Sequence, residues 1–245
     1  MKIVHKSIGF RSILLVGMLL TLPLCMKAQD DERPTEQRKL PFTVRFDGGI
    51  GLLTSPRAMR DNFYSVGDVN LGAWFGIYKG WKAAVNLRYT GFQVARNASN
   101  FNDELIIDGI VIYQPIRTTH NMYTGSIAIG YDQWISPYSL FNYSFGVGQS
   151  LVRYGKIRKV DTPPRPEEYN YEDWTFDASV NFLYFFEDHL AMTVKVGYSG
   201  LMSPFRPETV ALDGGAISYT TEDLKGDIRW FSVALGFAWS LSRID

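Results

Sequence analysis

Outside the first 29 residues the chain carries two histidines, His120 and His189, the side chains best suited to acid–base work at neutral pH. Acyl transfer or hydrolysis would need a nucleophile, a base and a group that orients the base. His120 is followed by Asn121-Met122-Tyr123, with no serine two residues on. Loop acids such as Asp103 and Glu104 read as solvated charges. No glycine-rich phosphate loop, zinc-ligand spacing or calcium-loop pattern is present in the sequence. The single cysteine, Cys25, follows Leu22-Pro23-Leu24 rather than the small residues that precede a lipidated cysteine, and it falls within a leader. If it leaves with that leader, disulfides and thiolate–metal sites are excluded. The expectation is no catalytic residue, no metal and no cofactor.

A second set of residues carries a different chemistry. Arg45, Asp47, Lys82, Arg88, Asp132, Asp177 and Lys195 fall on the polar side of segments that alternate between large apolar and small or polar residues. Such charges form either a selectivity lining or a paired, hydrogen-bonded plug. What decides between these is the width of the space that holds them.

The alternation defines the elements. Phe231, Val233, Leu235, Phe237, Trp239 and Leu241 share one face of the last segment, opposite Ser232, Ala234, Gly236, Ala238, Ser240 and Ser242. In a strand these sets point to opposite sides of the sheet. The split recurs in seven earlier segments, starting at Phe42, Val69, Val85, Tyr123, Phe141, Phe176 and Met192. Their polar faces are rich in Gly, Ser and Ala, which suits the crowded interior of a narrow barrel. Trp81, Phe141, Trp174 and Trp239 stand near segment ends, where interfacial aromatic girdles belong. Segments of ~9–11 residues match a tilted membrane strand.

The spacers set the order. Short turns fall at Lys79-Gly80, around Ser136-Pro137 and at Asp188-His189; long connections fall at Thr54–Gly67, Ala95–Asn121, Gly155–Asp173 and Pro204–Gly226. Short periplasmic turns alternating with long external loops give eight antiparallel strands in an up-and-down transmembrane β-barrel, with both termini periplasmic. Leu105-Ile106-Ile107-Asp108-Gly109-Ile110-Val111-Ile112-Tyr113 reads as a hairpin around an Asp-Gly turn. As a hairpin inside the second external loop it leaves eight strands; as two further spans it makes ten. Eight strands enclose a space that side chains roughly fill. Four basic and three acidic residues there are close to balance, so the expected arrangement is a plug.

Composition fits an exported all-β chain. Lys2, Lys6 and Arg11 precede the apolar run Ile13–Leu24, and Lys27-Ala28-Gln29 ends it, which together form a secretory leader over residues 1–29. Residues 30–41 read as a periplasmic tail, and 42–243 as the barrel. Residues 1–28 hold four basic and no acidic side chains, leaving 21 basic against 25 acidic, a net charge of −4. A nucleic-acid partner, which favours a basic face, is excluded on that balance.

The chain resembles the small outer-membrane β-barrel proteins common in Bacteroidota. The resemblance rests on Ala28-Gln29, on Leu71-Gly72-Ala73-Trp74-Phe75-Gly76-Ile77-Tyr78 before a Lys-Gly turn, and on Ser144-Phe145-Gly146-Val147-Gly148. Gly197-Tyr198-Ser199-Gly200, Ala211-Leu212-Asp213-Gly214-Gly215 and the strand Phe231–Leu241 complete it. It implies an eight-stranded barrel like those of OmpA or OmpX, and little about activity. The end departs from the pattern, since Ser-Leu-Ser-Arg-Ile-Asp follows Trp239. The expected role is a non-enzymatic outer-membrane barrel presenting external loops, with outer-membrane lipid and lipopolysaccharide as its surroundings. The alternatives are a part of a secretion or gliding machine with envelope protein partners, and an enzyme acting on lipids or peptides.

Overall fold

The computed structural model describes residues 40–94, 102–107, 110–115, 119–155, 168–204 and 226–241. All lie in one unit of the chain, Arg38–Asp245. Its strands are β1 (Phe42–Ser55), β2 (Phe63–Tyr78), β3 (Trp81–Val94), β4 (Asn102–Ile107), β5 (Ile110–Pro115), β6 (Thr119–Ser136), β7 (Ser139–Gly155), β8 (Glu168–Phe185), β9 (Leu190–Pro204) and β10 (Asp227–Ser240). A six-residue helix, α1 (Arg57–Asn62), joins β1 to β2.

Eight of the strands close into a barrel in the order β1-β10-β9-β8-β7-β6-β3-β2, each neighbouring pair antiparallel. The first and last strands form the seam, in register from Thr43 opposite Ser240 to Leu53 opposite Trp230. The strands β4 and β5 pair only with each other, Ile107 opposite Ile110. The ten-strand alternative is therefore excluded, and this hairpin belongs to the β3–β6 connection. Its Asp108-Gly109 turn lies outside the described residues, as do the leader and residues 30–39 of the tail.

Two expectations about length need correction. The barrel strands run 14–18 residues, not ~9–11. The connection read as Thr54–Gly67 shrinks to Pro56–Asn62, because β1 continues to Ser55 and β2 begins at Phe63. Beyond Trp174 the outward positions of β8 are Glu172 and Asn170, and beyond Tyr123 that of β6 is Asn121. The apolar-out pattern ends there while backbone pairing continues, so a reading of polarity stops short of the strand.

Short turns define one end of the barrel. Lys79 and Gly80 both take positive φ, 41° and 85°, the backbone that a two-residue hairpin turn requires. At this end Leu40, Leu140, Leu183, Phe185, Ala191 and Ala238 form a buried cluster, with Trp134 stacked on Phe185 at 5.6 Å. Leu40, which the sequence reading placed in the tail, is thus part of the barrel's packing. Pro41 beside it accepts a backbone hydrogen bond from Gly76 at 2.8 Å. At the opposite, loop-bearing end, Phe92 faces His120 across β3–β6, Met122 faces Val152 across β6–β7, and Leu53 faces Trp230 across the seam. All six are buried. The interior is therefore layered, with apolar side chains at each end and polar ones between.

The seam depends on two interior positions without side chains. A Cβ on Gly49 would run into the Val233 carbonyl oxygen, and one on Gly236 into the Phe46 carbonyl oxygen with Asp47 Cα at 2.8 Å. Gly48 points outward, with nothing within 4 Å of such an atom. Gly236→Val should accordingly open the seam and remove the fast-migrating form that a closed barrel shows on unheated gels. Gly48→Val should keep that form, and equal behaviour of the two would contradict the closure described here.

Candidate functional site

The structure places all seven of the predicted interior charges inside the barrel, six of them in two groups and Asp47 between. Period-2 geometry explains this directly: Arg45 and Asp47 alternate with outward Val44 and Phe46 on β1, and Lys82 and Arg88 lie an even number of residues apart on β3.

The group nearer the short turns centres on Asp132. Lys82 Nζ lies 2.7 Å from its carboxylate and Arg45 Nη2 3.7 Å away. Asn142 ties the two sides together, accepting from Arg45 Nη1 at 2.7 Å and donating to Asp132 at 2.7 Å. The Arg45 guanidinium also lies over the Trp74 ring, 4.4 Å from its centroid.

The group nearer the loops centres on Arg88. Its guanidinium meets Asp68 in a two-point fork through Nε and Nη2, with Nε donating at 2.6 Å. Nη1 donates to Asp177 at 2.8 Å and to Ser199 Oγ at 2.7 Å, and Ser199 in turn donates to Asp177 at 2.6 Å. Lys195 Nζ stands 3.6 Å from Asp177, and the Trp230 ring lies 5.5 Å from Arg88. Between the groups, Asp47 accepts from Thr193 at 2.5 Å.

Asp68 was missed in the sequence, because the second segment was read as starting at Val69. The signal was present: Asp68 continues the interior series Asn70 and Gly72 by one step of two. Adding it brings the network to Arg45, Lys82, Arg88 and Lys195 against Asp47, Asp68, Asp132 and Asp177, so the charges cancel. A further buried acid, Asp173, sits apart near the loop end and accepts from the Ser203 N–H at 3.0 Å and the Ser203 hydroxyl at 2.8 Å. Fork geometry and charge-assisted bonds of this kind are the strong form of side-chain pairing.

The histidines occupy opposite ends. His189 is in the β8–β9 turn, where its carbonyl accepts from Ser240 N–H at 2.8 Å. His120 lies at the loop end of β6, fully buried, its ring 6.4 Å from that of Phe92. Among the described residues no group of three or more His, Cys, Asp or Glu side chains is arranged to hold a metal ion.

The outer surface has the reverse character. Large apolar residues are exposed on every barrel strand, among them Ile50, Leu71, Leu87, Ile127, Phe145, Tyr184, Val196 and Leu235. Ile127 and Leu235 are 66% and 65% exposed. Trp81, Tyr138, Tyr184 and Trp239 rim the turn end of this belt, and Tyr64, Tyr123 and Trp174 rim the other. A monomer in water rarely exposes a contiguous apolar area above a few hundred Å².

No protein-family model matches the chain, and no curated protein matches its sequence. Solved structures of similar shape include a major outer membrane protein from Thermus thermophilus, at 12% identity and a TM-score of 0.47, covering 81% of this chain and 98% of that one. Neisserial surface protein A is similar at 13% identity and a TM-score of 0.45, covering 82% and 97%. The attachment invasion locus protein Ail of Yersinia pestis, solved with the heparin analogue sucrose octasulfate, matches at 8% and 0.41, covering 81% and 97%.

Arg88 holds two buried carboxylates, so Arg88→Leu leaves both short of their partner. The expected loss is about 3–5 kcal/mol, the range for breaking one side of a buried ion pair. Val194→Leu, on the outward face, should be close to neutral. Urea unfolding midpoints of the refolded protein report both, and equal tolerance at the two positions would contradict the assignment of faces.

Proposed function

We propose that this protein is an integral outer-membrane barrel with a plugged interior, which performs no catalysis of its own and presents its connections at the loop-bearing end. The carrying observation is the polarity of the closed sheet. Charged residues are paired inside, while an uninterrupted apolar belt with aromatic rims faces out. Along β10 and the residue that follows it, that belt runs from Phe231 to Leu241. About eleven residues at ~3.4 Å each, tilted ~40°, rise roughly 28 Å, close to the ~25 Å apolar band of outer-membrane barrels. Closure also leaves each barrel strand paired on both sides, which a bilayer demands because it offers backbone groups no water.

The interior supports the absence of a wide pore. Apolar side chains occupy both ends, and two hydrogen-bonded charge groups, neutral in sum, crowd the space between. His120 supports the absence of catalysis, since a fully buried imidazole behind Phe92 meets no substrate from solution. Under this reading the belt contacts outer-membrane acyl chains, the loop end meets the lipopolysaccharide leaflet, and both strand termini lie on the periplasmic side.

The mature protein should fractionate with outer membranes and resist salt and carbonate washing. In planar bilayers it should show no large stable conductance. A sharper test uses one residue of the belt. Leu235→Arg should destabilise the bilayer-inserted barrel by about 2–4 kcal/mol, the cost of a cation at mid-depth of a lipid-facing strand. On a water-facing sheet the same change would be nearly neutral, and that outcome would remove the membrane reading.

A further inference from the structure

The two charge groups do not touch across the whole interior. Between them lies a cavity of about 30 Å³, enough for about two water molecules. Trp74 with Arg45 forms its floor and Trp230 with Arg88 its roof, and Asn86 and Asp177 are in its wall. Both tryptophans are more than nine-tenths buried, and neither indole N–H has a hydrogen-bond partner among the described residues. The Asn86 side-chain oxygen, also buried, is in the same position.

Two of these groups, the Trp74 N–H and the Asn86 oxygen, converge on one place. Gly72 lies directly opposite Asn86 across β2–β3. A Cβ on Gly72 would stand 3.0 Å from Trp74 Nε1 and closer still to the Asn86 oxygen. The donor and the acceptor are thus within one bridging molecule of each other. The absent side chain is what leaves room between them.

We propose that this chamber is a binding site for trapped water, in which one water accepts from the Trp74 indole and donates to Asn86, and a second accepts from the Trp230 indole. The chemistry selects water over an ion. The lining charges, Arg45, Arg88 and Lys195 against Asp47 and Asp177, belong to a network that cancels as a whole once Asp68, Lys82 and Asp132 behind them are counted. An anion would find the Asn86 oxygen against it, and a cation would face two N–H donors. Only a neutral group that both donates and accepts satisfies the Trp74 N–H and the Asn86 oxygen together. Buried donors and acceptors are as a rule hydrogen-bonded, because leaving one without a partner forfeits its solvation with nothing in return. Apolar side chains stand at both ends of the interior, between the chamber and bulk water. The site depends on the barrel's interior alone and holds whatever surrounds the barrel.

The test labels the six tryptophans with nitrogen-15 in the full chain, refolded in micelles, and measures magnetisation transfer from water to each indole proton. Trp74→Phe and Trp230→Phe assign the two signals. Both should show water cross-peaks while exchanging slowly in deuterated solvent. Gly72→Ala should abolish the Trp74 cross-peak and keep that of Trp230. If that variant does not fold, Asn86→Leu supplies the same reading by removing the acceptor. A Trp74 indole silent to water in the unaltered protein, or a cross-peak that persists at full strength in the folded variant, overturns the proposal.

Discussion

Closure of the sheet is the constraint on which the rest depends. Pairing β1 with β10 removes the two edges that an eight-stranded sheet would otherwise expose. Closing with so few strands also fixes a narrow bore, so whatever points inward must share a small volume. The glycines at the seam follow from this, since Gly49 and Gly236 lie where a side chain would strike the facing carbonyl. So does the charge network. Four cations and four carboxylates in a narrow, enclosed interior are tolerable only because each meets an opposite charge or a hydrogen-bond donor within reach.

The same constraint separates the two polarities of the molecule. A soluble barrel keeps apolar residues within and shows charge to water. Here the aliphatic and aromatic residues face outward along each strand, and arginine, lysine and aspartate face in. The arrangement is stable where the surroundings are apolar, and the aromatic rims fit the boundaries of such a layer. The interior layering adds a second barrier. The cluster around Leu40 and Phe185 closes the turn end, and Phe92, His120 and Trp230 occupy the loop end.

Much of this was legible from residue types and spacing. The eight segments, their order, the short turns, the separate hairpin and all seven named interior charges follow from period-2 alternation and spacer length. What the pattern hid has physical causes. Strand ends beyond the belt carry polar residues on the outward face, so the contrast between faces fades while the hydrogen-bond ladder goes on. That is why the apolar series of β2 starts at Val69, and Asp68, the two-point partner of Arg88, falls between that segment and the connection ending at Gly67. Leu40 follows a charged stretch, and nothing local marks it as packing inside the barrel. The apolar residues at the two ends of the interior break the polar-in rule, because they sit where alternation alone assigns small or charged side chains.

The central claim is the partition of faces: lipid outside, a sealed and paired network inside. Spin labels placed one at a time along Phe231–Trp239 of β10 in the reconstituted barrel test it most directly, read by collision with oxygen and with a water-soluble nickel chelate. The account predicts oxygen accessibility at Phe231, Val233, Leu235, Phe237 and Trp239, greatest near Leu235, and low accessibility to both reagents at the alternate positions. Nickel contact at Leu235 would contradict the lipid-facing belt, and nickel contact at Ser232 and Ala234 would contradict the sealed interior.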